Sequence, residues 1–347
     1  MLMQGRFDMQ LEKFNPLIND IIIVDGLWGT GKSLLGPIVS GMERVEKVKI
    51  EGIYEQVCIL RHLDKISPDA ASWMLKTYAD ESQYHNLIGR EVNLRWSDDS
   101  GFANNPHGFR YIKRLFGSEG DQKVADINDN NLALNLMTHM LMLVASPVFE
   151  AYVDRVKIIE IIRHPLYMVK HWCTYLQRFD SPREVTVSFN YKGSKIPWFA
   201  AGWEDSFIEA STMDKSLLSI IKLYEWLDIN TKTAIANSNN VLTLSFESLV
   251  MKPDEPLQQL ESFLGRKHYP RLSTILQKQN IPRKTISQGK GHATYGWSKN
   301  SNKNEEQVYL QNLEYIKTNG SPENVNNLLK LIEIYNDKYP SVLAQYQ

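Results

Sequence analysis

Ile21-Ile22-Ile23-Val24-Asp25-Gly26-Leu27-Trp28-Gly29-Thr30-Gly31-Lys32-Ser33-Leu34-Leu35 joins an apolar run to a glycine-rich turn and an apolar helical start. The first four residues are β-branched and are bounded by Asp20 on one side and Asp25-Gly26 on the other. Such a run predicts a short strand buried on both faces, as in a parallel sheet. Gly26 to Ser33 then match the pattern G-x-x-x-x-G-K-[ST] in full. Glycines at these places let successive backbone N–H groups turn inward around phosphate oxygens, and the helix start adds positive potential. Gly26, Gly29, Thr30, Gly31, Lys32 and Ser33 are therefore candidate anion-binding residues. Lys32 is placed to neutralise a terminal phosphoryl or sulfuryl group, and Ser33 to ligate either a magnesium ion or a phosphate oxygen. The plainer alternative is a tight strand-to-helix turn that binds nothing. Gly36-Pro37 falls inside the expected helix and predicts a kink or an early end.

Working outward, Val156 to Ile162 form a second apolar run, closed by Arg163-His164-Pro165, with Pro165 opening a helix through Trp172. Val241 to Leu244 form a third, after an Asn-rich turn. Residues 214–236 repeat Leu217, Ile221, Tyr224 and Leu227 at helical spacing. The stretch around His139, with Leu134, Leu136, Met137, Met140 and Leu141, also reads as helical. Strands alternating with helices predict an α/β fold with a doubly wound parallel sheet of the P-loop type. Residues 102–129 have weak periodicity and read as a long excursion over one face, a substrate lid. Two helical pieces, 305–317 and 322–338, form a C-terminal tail. The expected organisation is one domain over residues 1–300 with a helical extension, 301–347, packed on it.

The composition is that of an ordinary globular chain, with 43% hydrophobic and 23% charged residues. A formal net charge of −1 gives no global pull toward nucleic acid or an anionic membrane, so any anion site must be a local cluster of cations. The two cysteines, Cys58 and Cys173, have no ligand-like spacing, and no metal ligand set is expected. Cysteine usage, the interrupted N-terminus and the lack of a long apolar stretch point to the cytoplasm.

Four segments taken together resemble the sulfotransferases that use 3′-phosphoadenosine 5′-phosphosulfate (PAPS). Ile21 to Leu35 looks like the family's 5′-phosphosulfate loop. Met137-Thr138-His139-Met140 is similar to its Lys-Thr-His-Leu segment, a little over twenty residues before the arginine. Ile159 to Trp172 resembles its strand, Arg-x-Pro and helix. Val241 to Gly265 resembles its Tyr-Glu-Asp-Leu strand, proline and Phe-Leu-Gly. Lys290-Gly291 with Gly296-Trp297 is a looser echo of the C-terminal Arg-Lys-Gly loop and tryptophan. Three positions depart from the family. Its first-loop cation aligns with Gly29, while Lys32 comes three places later; His171 stands where a serine is usual; Met137 replaces the lysine before Thr-His.

The resemblance implies transfer of a sulfuryl group from PAPS to a hydroxyl or amine of a carbohydrate or small metabolite, leaving adenosine 3′,5′-bisphosphate. In it His139 takes the acceptor's proton and Lys32 balances charge on the leaving oxygens. Arg163, with His171 or Lys170, grips the 3′-phosphate, and Lys290 with Gly291 closes over the nucleotide. A lone histidine among apolar residues is as readily a satisfied core residue, and Arg163 is as readily a brace against an acidic neighbour. The cations Arg90, Arg95, Arg110, Lys113 and Arg114 form either a substrate surface or an ordinary solvated face. An ATP- or GTP-dependent kinase using Lys32, Ser33 and magnesium is the alternative reading, as is a nucleotide-binding protein without catalysis. The kinase needs a carboxylate at a neighbouring strand end, and none stands out: Glu160 lies inside its strand. Acceptor identity and oligomeric state are not written in the sequence.

Overall fold

The structure, a computed structural model, describes residues 9–96, 101–102, 107–182, 184–238, 240–270, 272–288 and 304–346. In chain order it begins with β1 (Ile21–Asp25), α1 (Lys32–Val39), β2 (Lys49–Ile50), α2 (Ile53–His62) and α3 (Pro68–Ile88). Next come α4 (Gly108–Arg114), α5 (Asp121–Asn130), β3 (Leu134–Met137), α6 (Ser146–Tyr152), β4 (Val156–Ile162) and α7 (Val169–Gln177). A hairpin of β5 (Ser188–Tyr191) and β6 (Ser194–Pro197) leads to α8 (Glu204–Glu209) and the long α9 (Thr212–Ser238). The chain continues through β7 (Val241–Ser245), α10 (Phe246–Met251), α11 (Asp254–Leu264), α12 (Leu272–Lys278), α13 (Glu305–Asn319) and α14 (Pro322–Lys338).

Five strands form one sheet in the order β2-β3-β1-β4-β7, and every neighbouring pair is parallel. All five residues of β1 are buried, as their uninterrupted apolar run requires in a central strand covered on both faces. The chain runs from β3 on one side of β1 to β4 on the other, so the order reverses at β1. That reversal opens a crevice beyond the C-terminal ends of these strands, where an open parallel sheet binds its ligands. The turn at Gly26 emerges there. Among the described residues no helix is long and apolar enough to cross a membrane.

The helices start and stop on local chemistry. Ser67 caps α3 and Pro68 opens it, Asn304 and Gln307 form a capping box on α13, and Ser321 with Pro322 does the same work for α14. Helix α1 is only eight residues long with Pro37 inside it, in line with the early end predicted there.

Three expectations need correction. The stretch before His139 is not helical: Leu134–Met137 form β3 between β2 and β1, and the chain then turns through Met140 at φ +62°. Four buried apolar residues fit either period, and pairing on both edges decides for the strand. Pro165 does not open a continuous helix. Pro165–Tyr167 are a single 3-10 turn, and α7 begins separately at Val169. Finally, the described part of residues 102–129 does not form a lid over the Gly26 loop. It carries α4 and α5, which pack on α3, with α4 also bonded to residues 45–47 at the N-terminal end of the sheet. Arg114 there makes a two-pronged bond to the buried Glu46, at 2.7 and 2.9 Å, and that anchor holds α4 at the far rim.

Candidate active site

The loop after β1 is shaped by its glycines. Gly31 sits at φ +106° as the N-cap of α1, with no side chain to cap the helix, and a Cβ there would lie 2.4 Å from the Phe246 ring. Gly29 is at φ +88°, and its Cβ would press on the imidazole of His171 at 3.1 Å. Both positions lie in the left-handed region that favours glycine. The Leu34 N–H already donates to the Gly31 carbonyl at 3.0 Å, so the N–H groups of Lys32 and Ser33 at the very start of α1 are the ones an anion site uses. Thr30 turns inward, its hydroxyl donating to the Leu27 carbonyl at 2.9 Å, while Ser33 is exposed. Trp28 is buried and packs in an aromatic cage, 3.6 Å from Tyr175 and 4.6 Å from Trp172 between ring centres. The Trp172 indole N–H also donates to the Trp28 carbonyl.

Lys32 folds back over this loop. Its ammonium donates to the Gly26 and Leu27 carbonyls at 2.6 and 2.7 Å and is nearly inaccessible to solvent. Burial lowers its pKa to about 8, against the pull of Asp25, Glu160 and Glu55 in the other direction. Asp25 is fully buried and its two oxygens are engaged, one by the Thr138 hydroxyl at 2.8 Å and one by the Met142 N–H at 2.7 Å. Glu160 faces Asp25 across the β1–β4 ladder. Burial and the Asp25 charge raise its pKa well above the usual carboxylate range, against the pull of Lys32.

His139 follows β3 and is fixed on both sides. The Thr138 hydroxyl reaches Asp25, and the Met140 N–H donates to the Gly26 carbonyl at 3.2 Å. The His139 backbone N–H donates to Glu55 of α2, whose carboxylate lies 3.8 Å from the ring Nδ1. The side chain is 38% exposed, so this is not a sealed core histidine. Burial of the rest of the ring, with Lys32 and His171 adding to it, holds its pKa well below the ordinary histidine value. Burial raises the Glu55 pKa to about 8, partly offset by the His139 amide.

Arg163 leaves the end of β4, only 7% exposed, and donates through Nη1 to the Gly29 carbonyl at 2.9 Å. Its guanidinium lies 4.3 Å from the centre of the Phe246 ring, the same ring that closes on Gly31. Arg283 lies over that ring too, at 5.4 Å. Burial, then repulsion from Arg163, lowers the Arg283 pKa to about 10. Both cations lie against the Phe246 ring beside the loop.

The fold thus gathers Gly26, Gly29, Thr30, Gly31, Lys32, Ser33, His139, Arg163 and His171 at one rim. Lys170 goes elsewhere, to lie 5.4 Å over the Tyr315 ring of α13. Lys290, Gly291, Gly296 and Trp297 lie outside the described residues. Sequence reading missed Glu55 and Arg283. Neither sits in a motif. Among the described residues no group of His, Cys, Asp and Glu is arranged to hold a metal ion.

No protein-family model matches the chain, and no curated protein matches it in sequence. Among solved structures it is similar to a sulfotransferase domain from the curacin biosynthetic pathway, at 13% identity over 91% of this chain and 98% of that one, with a TM-score of 0.40. Sulfotransferase STF9 from Mycobacterium avium matches at 10% identity over 93% and 78%, TM-score 0.43. The sulfotransferase domain of the Synechococcus PCC 7002 olefin synthase matches at 13% over 94% and 98%, TM-score 0.37.

Proposed function

We propose that the chain is a PAPS-dependent sulfotransferase. The observation that carries this reading is the bond from Arg163 to the Gly29 carbonyl, which ties a second buried cation to the glycine-rich loop. A donor with phosphate at both ends of its ribose needs two such devices a few ångströms apart, whereas a simple phosphate ester needs only one. The loop amides and Lys32 hold the 5′-phosphosulfate, and Arg163 with Arg283 holds the 3′-phosphate. His171, packed on Gly29, borders both.

In this reading the acceptor is a hydroxyl or amine of a carbohydrate or other small molecule. As its oxygen or nitrogen bonds to sulfur, the bridging S–O bond to the nucleotide breaks in line and the acceptor's proton passes to His139. Lys32 steadies the negative charge that grows on the leaving phosphate oxygen. A second reading of the base is favoured by one observation: the Glu55 carboxyl titrates near pH 8, beside His139. Glu55 then takes the proton and His139 orients the acceptor. Cysteine usage supports a cytoplasmic setting, since Cys58 and Cys173 are both free and buried.

The kinase alternative is disfavoured by its metal ligands. Asp25 has both oxygens engaged, and burial with the Asp25 charge opposes ionisation of Glu160, so neither is a ready carboxylate for magnesium.

Thermal-shift titration separates these readings. Adenosine 3′,5′-bisphosphate is expected to raise the melting temperature without magnesium and more than ADP does. Stabilisation by magnesium-ATP alone overturns the proposal.

A further inference from the structure

Arg163 leaves the end of β4, and Arg283 lies in the segment after α12. Arg163 sits at the head of the Pro165–Tyr167 turn, and α13 and α14 both pack on that turn. The buried His164 imidazole is boxed by Tyr167, Tyr309 of α13 and Tyr335 of α14, with ring centres 5.5 to 6.0 Å away. The Tyr335 hydroxyl donates to Glu247 at 2.7 Å, and the other oxygen of that carboxylate accepts the His164 N–H at 3.0 Å. Arg283 belongs to a different turn, with its Nη1 donating to the Ile286 carbonyl at 3.1 Å.

One side chain ties these turns together. Glu305, at the start of α13 and 5% exposed, accepts the Tyr167 hydroxyl on one oxygen at 2.6 Å. Its other oxygen accepts the N–H of Ile286 at 2.5 Å and of Ser287 at 3.4 Å. Its charge suits the place, since the first turn of a helix favours an anion. The guanidiniums it indirectly governs lie 4.3 and 5.4 Å from one ring centre, so their carbons are no farther apart than those distances together. Arg163 and Arg283 repel each other beside this ring, and an anion bound by both relieves the repulsion.

We propose that Glu305 is a positioning residue for donor selection: by joining the turn after Arg163 to the turn after Arg283, it sets the two guanidiniums to receive a second phosphate. This rests on the nucleotide reading above. It gives the helical tail a role in recognition without a tail residue touching the ligand.

The test is calorimetric titration of the full chain with adenosine 3′,5′-bisphosphate and with adenosine 5′-monophosphate, which lacks only the second phosphate. Wild type is expected to prefer the bisphosphate. Tyr167→Phe and Glu305→Ala are expected to shrink that preference about tenfold, the scale of one charged hydrogen bond, while the monophosphate affinity stays within about twofold. Glu305→Gln keeps a carbonyl oxygen for one tie and falls between. Tyr167→Phe removes a single hydroxyl, so it serves if Glu305→Ala fails to fold. Variants that keep the wild-type preference, or lose affinity for both nucleotides equally, overturn the role of Glu305. A wild type that binds the monophosphate but shows no preference overturns the nucleotide reading, and this inference with it.

Discussion

At the scale of single residues the site is a balance of buried charge. His139 and Glu55 are adjacent, and replacing each in turn assigns the proton acceptor. We expect His139→Ala to lower turnover at least about 100-fold, the usual worth of a positioned base, while nucleotide affinity holds. Unchanged turnover in a sulfuryl-transfer assay removes His139 from the chemistry, and an equal loss in Glu55→Gln with His139→Ala only mildly impaired moves the role to the carboxylate. Glu55 also leaves a mark on stability. Its folded pKa of about 8 stands above the ordinary value of 4.5, so the folded chain holds a proton that the unfolded chain gives up. The favourable contribution is complete below 4.5 and is lost as pH climbs to about 8, by at most about 1.4 kcal/mol per pH unit. Urea unfolding of wild type and Glu55→Gln at several pH values checks this, since the variant gains on wild type as pH rises if the sign is right. His139 was legible in its Thr-His pair beside an arginine strand. Glu55 was not, because a glutamate on an amphipathic helix looks like any solvated residue until the fold turns it inward.

At the scale of elements, the strand, loop and helix at the front of the chain were readable because each local signal agrees with the next. β3 was not. Leu134, Leu136, Met137, Met140 and Leu141 satisfy a helical spacing, and nothing local reveals that both edges of this short run find partners. The loop itself makes a sharp prediction. Gly31→Ala puts a methyl group 2.4 Å from the Phe246 ring at a φ of +106°. Left-handed backbone alone costs roughly 1–2 kcal/mol for an ordinary residue, and Phe246 cannot retreat without moving Arg163 and Arg283. The variant is expected to melt several degrees lower and to bind adenosine 3′,5′-bisphosphate at least about tenfold more weakly. Normal affinity in a destabilised Gly31→Ala means that the loop does not cradle the nucleotide.

At the scale of the whole molecule, the two rims of the sheet do separate work. The far rim is tied by Glu46, fully buried, with Arg114 in two bonds and the Tyr111 hydroxyl at 2.7 Å. Arg114→Met leaves that carboxylate without its main partner, a change that typically costs about 3–5 kcal/mol. Denaturation is expected to show the loss, while nucleotide affinity at the opposite rim stays within about twofold; a parallel fall in affinity denies that independence. Strands β1, β4 and β7 and the tail helices followed from periodicity and caps, but the meeting of Arg283, Phe246 and Glu305 did not, since residues far apart in sequence carry no mark of it. One last property of the molecule comes from Lys32. Its ammonium donates to the two carbonyls at the mouth of the loop. On the nucleotide reading, capture is an exchange of partners and not a simple addition, because each new bond from the ammonium replaces an old one. A small heat of binding for so charged a ligand is then expected, and Lys32→Met should hasten the nucleotide's departure.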